Sequence, residues 1–229
     1  MVDSKLMKNV FLLLICKIIT YDILYDPFLE AIWNNYKFDE YITSGDATVI
    51  LKLCNRFNRT TGNSAEEEFQ NCATLSRNLK VLYNSRYTSN DDFNKHCNNI
   101  NNWLYYKIKE HKMSDDTITE IFSESKQIIE NEGYLFCRYS PFNNDFLEPE
   151  KLVMLSIFND NIDYIKEILS QETHYKISSC RNFIKQCVHL YKSMHNIDCS
   201  KGDFTEPNKI FTCYIVNEFK NLYCSSIYN

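Results

Sequence analysis

Between Phe93 and His111 the apolar residues fall at intervals of three and four, at Phe93, Cys97, Ile100, Leu104 and Ile108. That spacing gathers them on one stripe of an α-helix. A cysteine lies on the stripe, within the stretch "HCNNINNWLYYKI", and Trp103 stands just beside it. We read the stretch as a packed helix pinned by a disulfide through Cys97, in preference to a metal or nucleophile site built from His96 and Cys97. The run Asn98 to Asn102 reads as a solvated helix face in a chain rich in Asn, Ile, Lys, Tyr and Phe, the residues that AT-rich codons favour. Tyr105 and Tyr106 cannot both face inward on one helix, so one of them is an exposed-aromatic candidate.

The same periodicity recurs along the chain. Pro27 and the preceding Asp26 suit a helix start before Phe28 to Trp33, and Asp46 suits a cap for Ala47 to Phe57. Ser64-Ala65-Glu66-Glu67 forms a capping box ahead of Phe69, Cys72, Leu75, Leu79 and Leu82. Ser114-Asp115-Asp116 caps a helix with Ile118, Ile121 and Phe122 inward, expected to end at Gly133. From Tyr134 to Glu148 the pattern vanishes. This connection holds Cys137 and reads as a boundary between two helical halves or as a tether across them.

Beyond it, Pro149 starts a short helix with Leu152, Leu155 and Phe158 inward, and Asp160 is expected to cap a second with Ile162, Ile165 and Leu169. A longer helix from Ile177 carries Cys180, Ile184 and Cys187 on one face. After the turn at Cys199 to Gly202, Pro207 opens a last helix whose apolar positions are Ile210, Phe211, Tyr214, Ile215, Phe219 and Leu222. Cys213 and Cys224 share an azimuth on it. No hairpin signal or sustained alternation appears.

With 229 residues, 44% hydrophobic and 14% aromatic, the chain can bury a substantial core, which argues against disorder. Only 4 Gly and 4 Pro occur, which argues against sandwiches, propellers and glycine-loop nucleotide folds. A formal charge of -5 supplies no basic footprint for nucleic acid. The ten cysteines are too sparse to substitute for a core, and their even number fits either bridges that reinforce it or reduced, buried thiols.

Lys5 to Cys16 resembles a charged segment followed by a short apolar one, and residues 1 to 23 read as a cleaved signal, an atypical export signal or an ordinary buried first helix. No segment approaches the roughly 18 to 20 uninterrupted apolar residues of a membrane span. Asn58-Arg59-Thr60 is a glycosylation sequon, making Asn58 a candidate acceptor if the chain is secreted.

Catalytic and metal patterns are thin. His96-Cys97 and Cys187-Val188-His189 offer zinc-ligating atoms, but the paired close spacings of closed tetrahedral sites are missing, and no metal or other cofactor is expected. None of the cysteines stands beside His111, His174 or His189 in a context that would stabilise a thiolate. The acidic groups Glu66 to Glu68, Asp91-Asp92 and Asp115-Asp116 all sit at helix starts, where they complement the dipole rather than serve acid/base catalysis.

The run Cys72-x2-Leu75-x2-Asn78-Leu79-x2-Leu82, followed by Phe93-x3-Cys97-x2-Ile100-x2-Trp103-Leu104-Tyr105, resembles the cysteine, "RNL" and "W-L-Y" signature of the Plasmodium interspersed repeat (Vir) proteins. Lys151-Leu152 through Asn161-Ile162, and Cys180-x6-Cys187-x3-Tyr191-x7-Cys199, resemble that family's downstream segments. The likeness covers roughly Leu24 to Cys224. It implies a mainly α-helical, disulfide-bonded variant antigen, exported to or near the infected red-cell surface, with roles in immune evasion and host-cell adhesion. Host proteins or antibodies would then be its partners, with no small-molecule substrate. Many family members continue into a C-terminal membrane helix, whereas this chain stops at Asn229, so the likeness does not carry anchoring over. Its N-terminus is also more apolar than that of the family.

The expectation is therefore an all-α domain of about eight or nine helices, non-enzymatic and cysteine cross-linked. Disulfide candidates are Cys54, Cys72 and Cys97 in the first half, Cys180, Cys187, Cys199, Cys213 and Cys224 in the second, and Cys137 in the connection between them. Loops at 58 to 63, 87 to 92, 134 to 148 and 200 to 206 would tolerate variation. The competing reading is a soluble intracellular adaptor with reduced cysteines.

Overall fold

The computed structural model describes residues 27–40, 42, 47–57, 63–111, 113–125, 135–142, 146, 148–171, 175–194, 199 and 207–228. Residues 1 to 23, Asp46, Asn58, Gly133 and the loop 200 to 206 lie outside them. Nine helices and no strand occur among the described residues: α1 (Pro27–Tyr36), α2 (Ala47–Cys54), α3 (Asn63–Asn84), α4 (Asn90–His111), α5 (Asp115–Glu124), α6 (Pro149–Asp160), α7 (Ile162–Ser170), α8 (Ile177–Met194) and α9 (Pro207–Ser226). The fold is all-α, as the periodicity predicts.

α6 is the axis of the packing. Leu152, Val153, Met154, Leu155, Ile157 and Phe158 are all buried, so this helix is apolar all round rather than amphipathic. α4, α7, α8 and α9 surround it. Phe158 meets Phe219 of α9 edge-on at 4.6 Å, and Cys187 of α8 donates its Sγ–H to the Met154 carbonyl at 3.8 Å. α3 and α4 pack as a second layer, and the buried apolar residues of both layers form one continuous core.

α5 begins as expected, with Thr117 N donating to the Ser114 hydroxyl. Asp160 does not cap α7. It ends α6, while Asn161 takes the cap position without a side-chain cap bond and donates its amide to Asn99 of α4 at 2.7 Å. The register of α9 also differs: Ile210, Phe211 and Tyr214 are exposed, and Thr212, Cys213, Val216 and Phe219 face the core. Tyr105 and Tyr106 correct a further expectation, since neither is exposed. Tyr106 is buried with its hydroxyl on Met154 Sδ, and Tyr105 packs edge-on against it and against Phe142.

Three disulfides are described: Cys54–Cys72 joins α2 to α3, Cys97–Cys137 joins α4 to the connection after α5, and Cys199–Cys213 joins the residues before α9 to α9. Their Cα separations of 5.4 to 5.7 Å are ordinary for the bond. The expectation that Cys180, Cys187 and Cys224 also form bridges is corrected: all three are thiols, the first two buried and the third exposed. Cys180 and Cys187 lie two turns apart on the buried face of α8, with Phe183 and Ile184 between them. Cys224 shares an azimuth with Cys213, but the Cys213 sulfur is already bonded to Cys199.

The connection 135–142 has no helix or strand to absorb its backbone polar groups. Side chains do so instead. Tyr83 of α3 accepts from the Cys137 N–H, while the Asn101 amide of α4 donates to the Arg138 carbonyl and accepts from Ser140 N. The Cys97–Cys137 bond thus sits inside a hydrogen-bonded clamp. In the chain-entropy view, a bridge closing 40 residues contributes about 4 kcal/mol and those closing 18 and 14 residues about 3 kcal/mol each. Replacing Cys97 and Cys137 together by Ala should therefore lower the guanidinium unfolding free energy most among the three pairs. A smaller loss than for the Cys199 and Cys213 double replacement would contradict this ranking.

Candidate functional site

The central surprise lies on α4. The run Asn98 to Asn102, expected on a solvated face, is largely inside: Asn99, Asn101 and Asn102 are buried, and only Asn98 is exposed. Each amide has a separate task. Asn99 donates to Tyr36 of α1 and accepts from Asn161, Asn101 clamps the connection, and Asn98 and Asn102 donate to the two carboxylate oxygens of Asp160 at 3.1 and 3.3 Å. Ser156 adds a third donor to Asp160 from one turn earlier on α6.

Beside this cluster α4, α6, α9 and the connection leave a cleft of about 190 Å³. Its polar groups are Asp160, Asn159 and Ser156 of α6, Asn98, Asn101 and Asn102 of α4, Ser140 of the connection, and Glu218 of α9. Its apolar wall is aromatic. Phe142 and Phe146 of the connection meet in a tilted contact at 5.3 Å, and Phe146 reaches Phe211 of α9 at 6.5 Å, with Tyr214 alongside.

Two carboxylates face this space without an ion pair among the described residues. Burial pushes Asp160 up to about 7, opposed by the amide of Asn98 and reinforced by the negative charge of Glu218. Glu218 is itself raised, by burial and then by Asp91, with Lys95 and the Asn159 amide pulling the other way. Lys95 is engaged elsewhere, at 3.3 Å from Asp91 and 3.8 Å from Asp163. Two amide oxygens, Asn102 Oδ1 and Asn159 Oδ1, are buried with no hydrogen-bond partner, although the Nδ2 of each donates toward one of the carboxylates.

The residues singled out for metal or thiol chemistry do not assemble. The sulfur of Cys97 is consumed in its disulfide, and His96 turns into an aromatic cage of Tyr36, Phe38 and Tyr87, its Nδ1 bonded to the Tyr87 hydroxyl at 2.7 Å. Burial lowers its pKa to about 4. On α8, Cys187 is buried while His189 is exposed, so the two point apart. Among the described residues no group of three or more His, Cys, Asp or Glu is placed to hold a metal ion. The acidic residues Glu66, Asp91, Asp92, Asp115 and Asp116 do occupy first turns of their helices.

Asp160 and Glu218 escaped the sequence reading. The available signal was a carboxylate placed at the end of a continuously apolar helix within Asn159-Asp160-Asn161, a pattern that a helix cap mimics. Compared with protein-family models, with curated proteins and with solved structures, the chain finds no match.

The two perturbed groups make opposite contributions to stability against pH. Asp160 is held above its ordinary value of 3.8, so its contribution is complete below about pH 4 and is lost as pH rises through about 7. His96 is held below 6.5, so its contribution is present above that value and is lost as pH falls toward 4. Asp160→Asn should therefore gain stability relative to the parent as pH rises from 4.5 to 8, whereas His96→Phe should gain relative to it as pH falls over the range from 6.5 to 4. Denaturant midpoints at several pH values check both; parallel curves for parent and variant would refute the corresponding assignment. Among the described residues the titratable groups facing Asp160 are Glu218 of α9 and the phenols Tyr36 and Tyr214, and Asp91 and Lys95 of α4 act in turn on Glu218.

Proposed function

We propose that the chain is a non-enzymatic display module, a variant antigen of the Plasmodium interspersed repeat (Vir) kind, exported to or near the surface of the infected red cell. There it serves immune evasion and contact with host proteins or antibodies. The observation that carries this reading is the oxidised state of three of the five cysteines in the quoted signature. Cys72, Cys97 and Cys199 each bond a partner, and bonds of this kind persist in oxidising compartments rather than in a reducing cytosol.

Two further features support it. The signature residues Leu75, Asn78, Leu79, Trp103 and Leu104 are buried, which assigns the shared pattern to the scaffold. The turn between α3 and α4 is exposed apart from Tyr87, so substitutions there cost little burial. Rigid helices tied by disulfides, with outward residues free to vary, suit an antigen under antibody pressure. Among the described residues no helix is long and apolar enough to cross a membrane.

Two measurements test this. Alkylation of native chain in denaturant without reductant should leave at least six cysteines unmodified, read as the mass gained after reduction. Protease added to intact infected red cells should degrade the chain. Modification of all ten cysteines before reduction, together with protection from the protease, would replace this reading by a reduced intracellular adaptor.

A further inference from the structure

We propose that the cleft between α4, α6 and α9 is a binding site for a protonated primary amine carried on an unbranched alkyl chain. The polar shell offers acceptors in excess. Asp160 and Glu218 contribute carboxylates, neither of them in an ion pair among the described residues, and Asn102 and Asn159 contribute amide oxygens that no donor reaches. An ammonium group has three donors and no acceptor, so it complements this set where an anion or a hydroxyl would not. Buried polar atoms without partners are rare in folded chains, and two of the three among the described residues line this one cavity, the other being His96 Nε2.

The aromatic wall selects the rest of the ligand. Phe142, Phe146, Phe211 and Tyr214 offer ring faces and edges to a cation with an apolar body, through cation–π attraction and burial of methylene groups. A hard metal ion instead requires six or more oxygen ligands, and four aromatic side chains supply none in their ring faces. The volume of about 190 Å³ exceeds the roughly 150 Å³ that accommodates benzene in an engineered cavity, so a four- or five-carbon amine fits without enlarging the cleft. Burial, and then the charge of a neighbouring carboxylate, raises both groups, and a cation placed between them would offset both effects. The inference is independent of the antigen reading, although the cleft wall includes Phe142 and Phe146 of the connection that the Cys97–Cys137 bond holds.

A calorimetric titration of the full chain with n-butylammonium at low salt tests it, with n-butanol as the neutral isostere and calcium as the metal alternative. Saturable binding of the ammonium alone is expected, strengthening from pH 5.5 to 8 as Asp160 ionises while the amine stays charged. Glu218→Gln should weaken it by about tenfold, and Phe211→Ala, at an exposed position of α9, by about threefold. Both variants are to be checked for native helix content. Equal heats for butanol, tighter binding of calcium, or indifference of affinity to both replacements in folded protein would overturn the proposal. A capped lysine derivative run beside butylammonium identifies the source: equal affinity indicates a lysine side chain of a partner, and loss with the capped form indicates a free amine.

Discussion

Four carboxamides on two turns of α4 hold the molecule together where hydrophobic contact alone would leave it unspecified. Asn99 reaches α1 and the start of α7, Asn101 fastens the connection that follows α5, and Asn98 and Asn102 meet the carboxylate that ends α6. A buried amide left without partners costs roughly 1 to 3 kcal/mol. Each alternative placement of a neighbouring element would incur that penalty, so the row favours one arrangement over other compact packings of equally apolar helices.

The covalent and hydrogen-bonded restraints coincide. Cys97 is four residues before Asn101, one helical turn away, and its disulfide partner Cys137 adjoins Arg138, the residue whose carbonyl Asn101 binds. The irregular connection is thereby fastened at residues 137 to 140, and it delivers Phe142 and Phe146 to the cleft wall. Position and chemistry of the cleft follow from this: the same α4 surface that fixes the fold also supplies its polar side.

Most helices were legible because their signals are local. The intervals in Phe93 to Leu104, the Ser114 cap and the proline starts at Pro27, Pro149 and Pro207 all act within a turn or two of themselves. The misread elements share a different cause. Asp160 looked like a cap because caps and helix-terminal acids occupy the same sequence position, and only the approach of α4 distinguishes them. On α9 the apolar residues lie on more than one face, so periodicity could not choose which of Phe211, Tyr214 and Val216 would be covered. Cys180 and Cys187 share a face of α8, but seven residues of helix separate them by about 10 Å, beyond the span of a disulfide.

By itself the sequence determined the all-α class, the positions of most helices and the stripe on which Cys97 would lie, since hydrophobic spacing and capping chemistry are properties of neighbouring residues. Only the tertiary structure decided that the asparagines of α4 turn inward, which sulfurs pair, and that two carboxylates from α6 and α9 face one aromatic-walled space. Those outcomes depend on groups 14 to 62 residues apart in the chain meeting in space. Whether a polar side chain is solvated or buried is settled by what packs against it, and no local pattern carries that information.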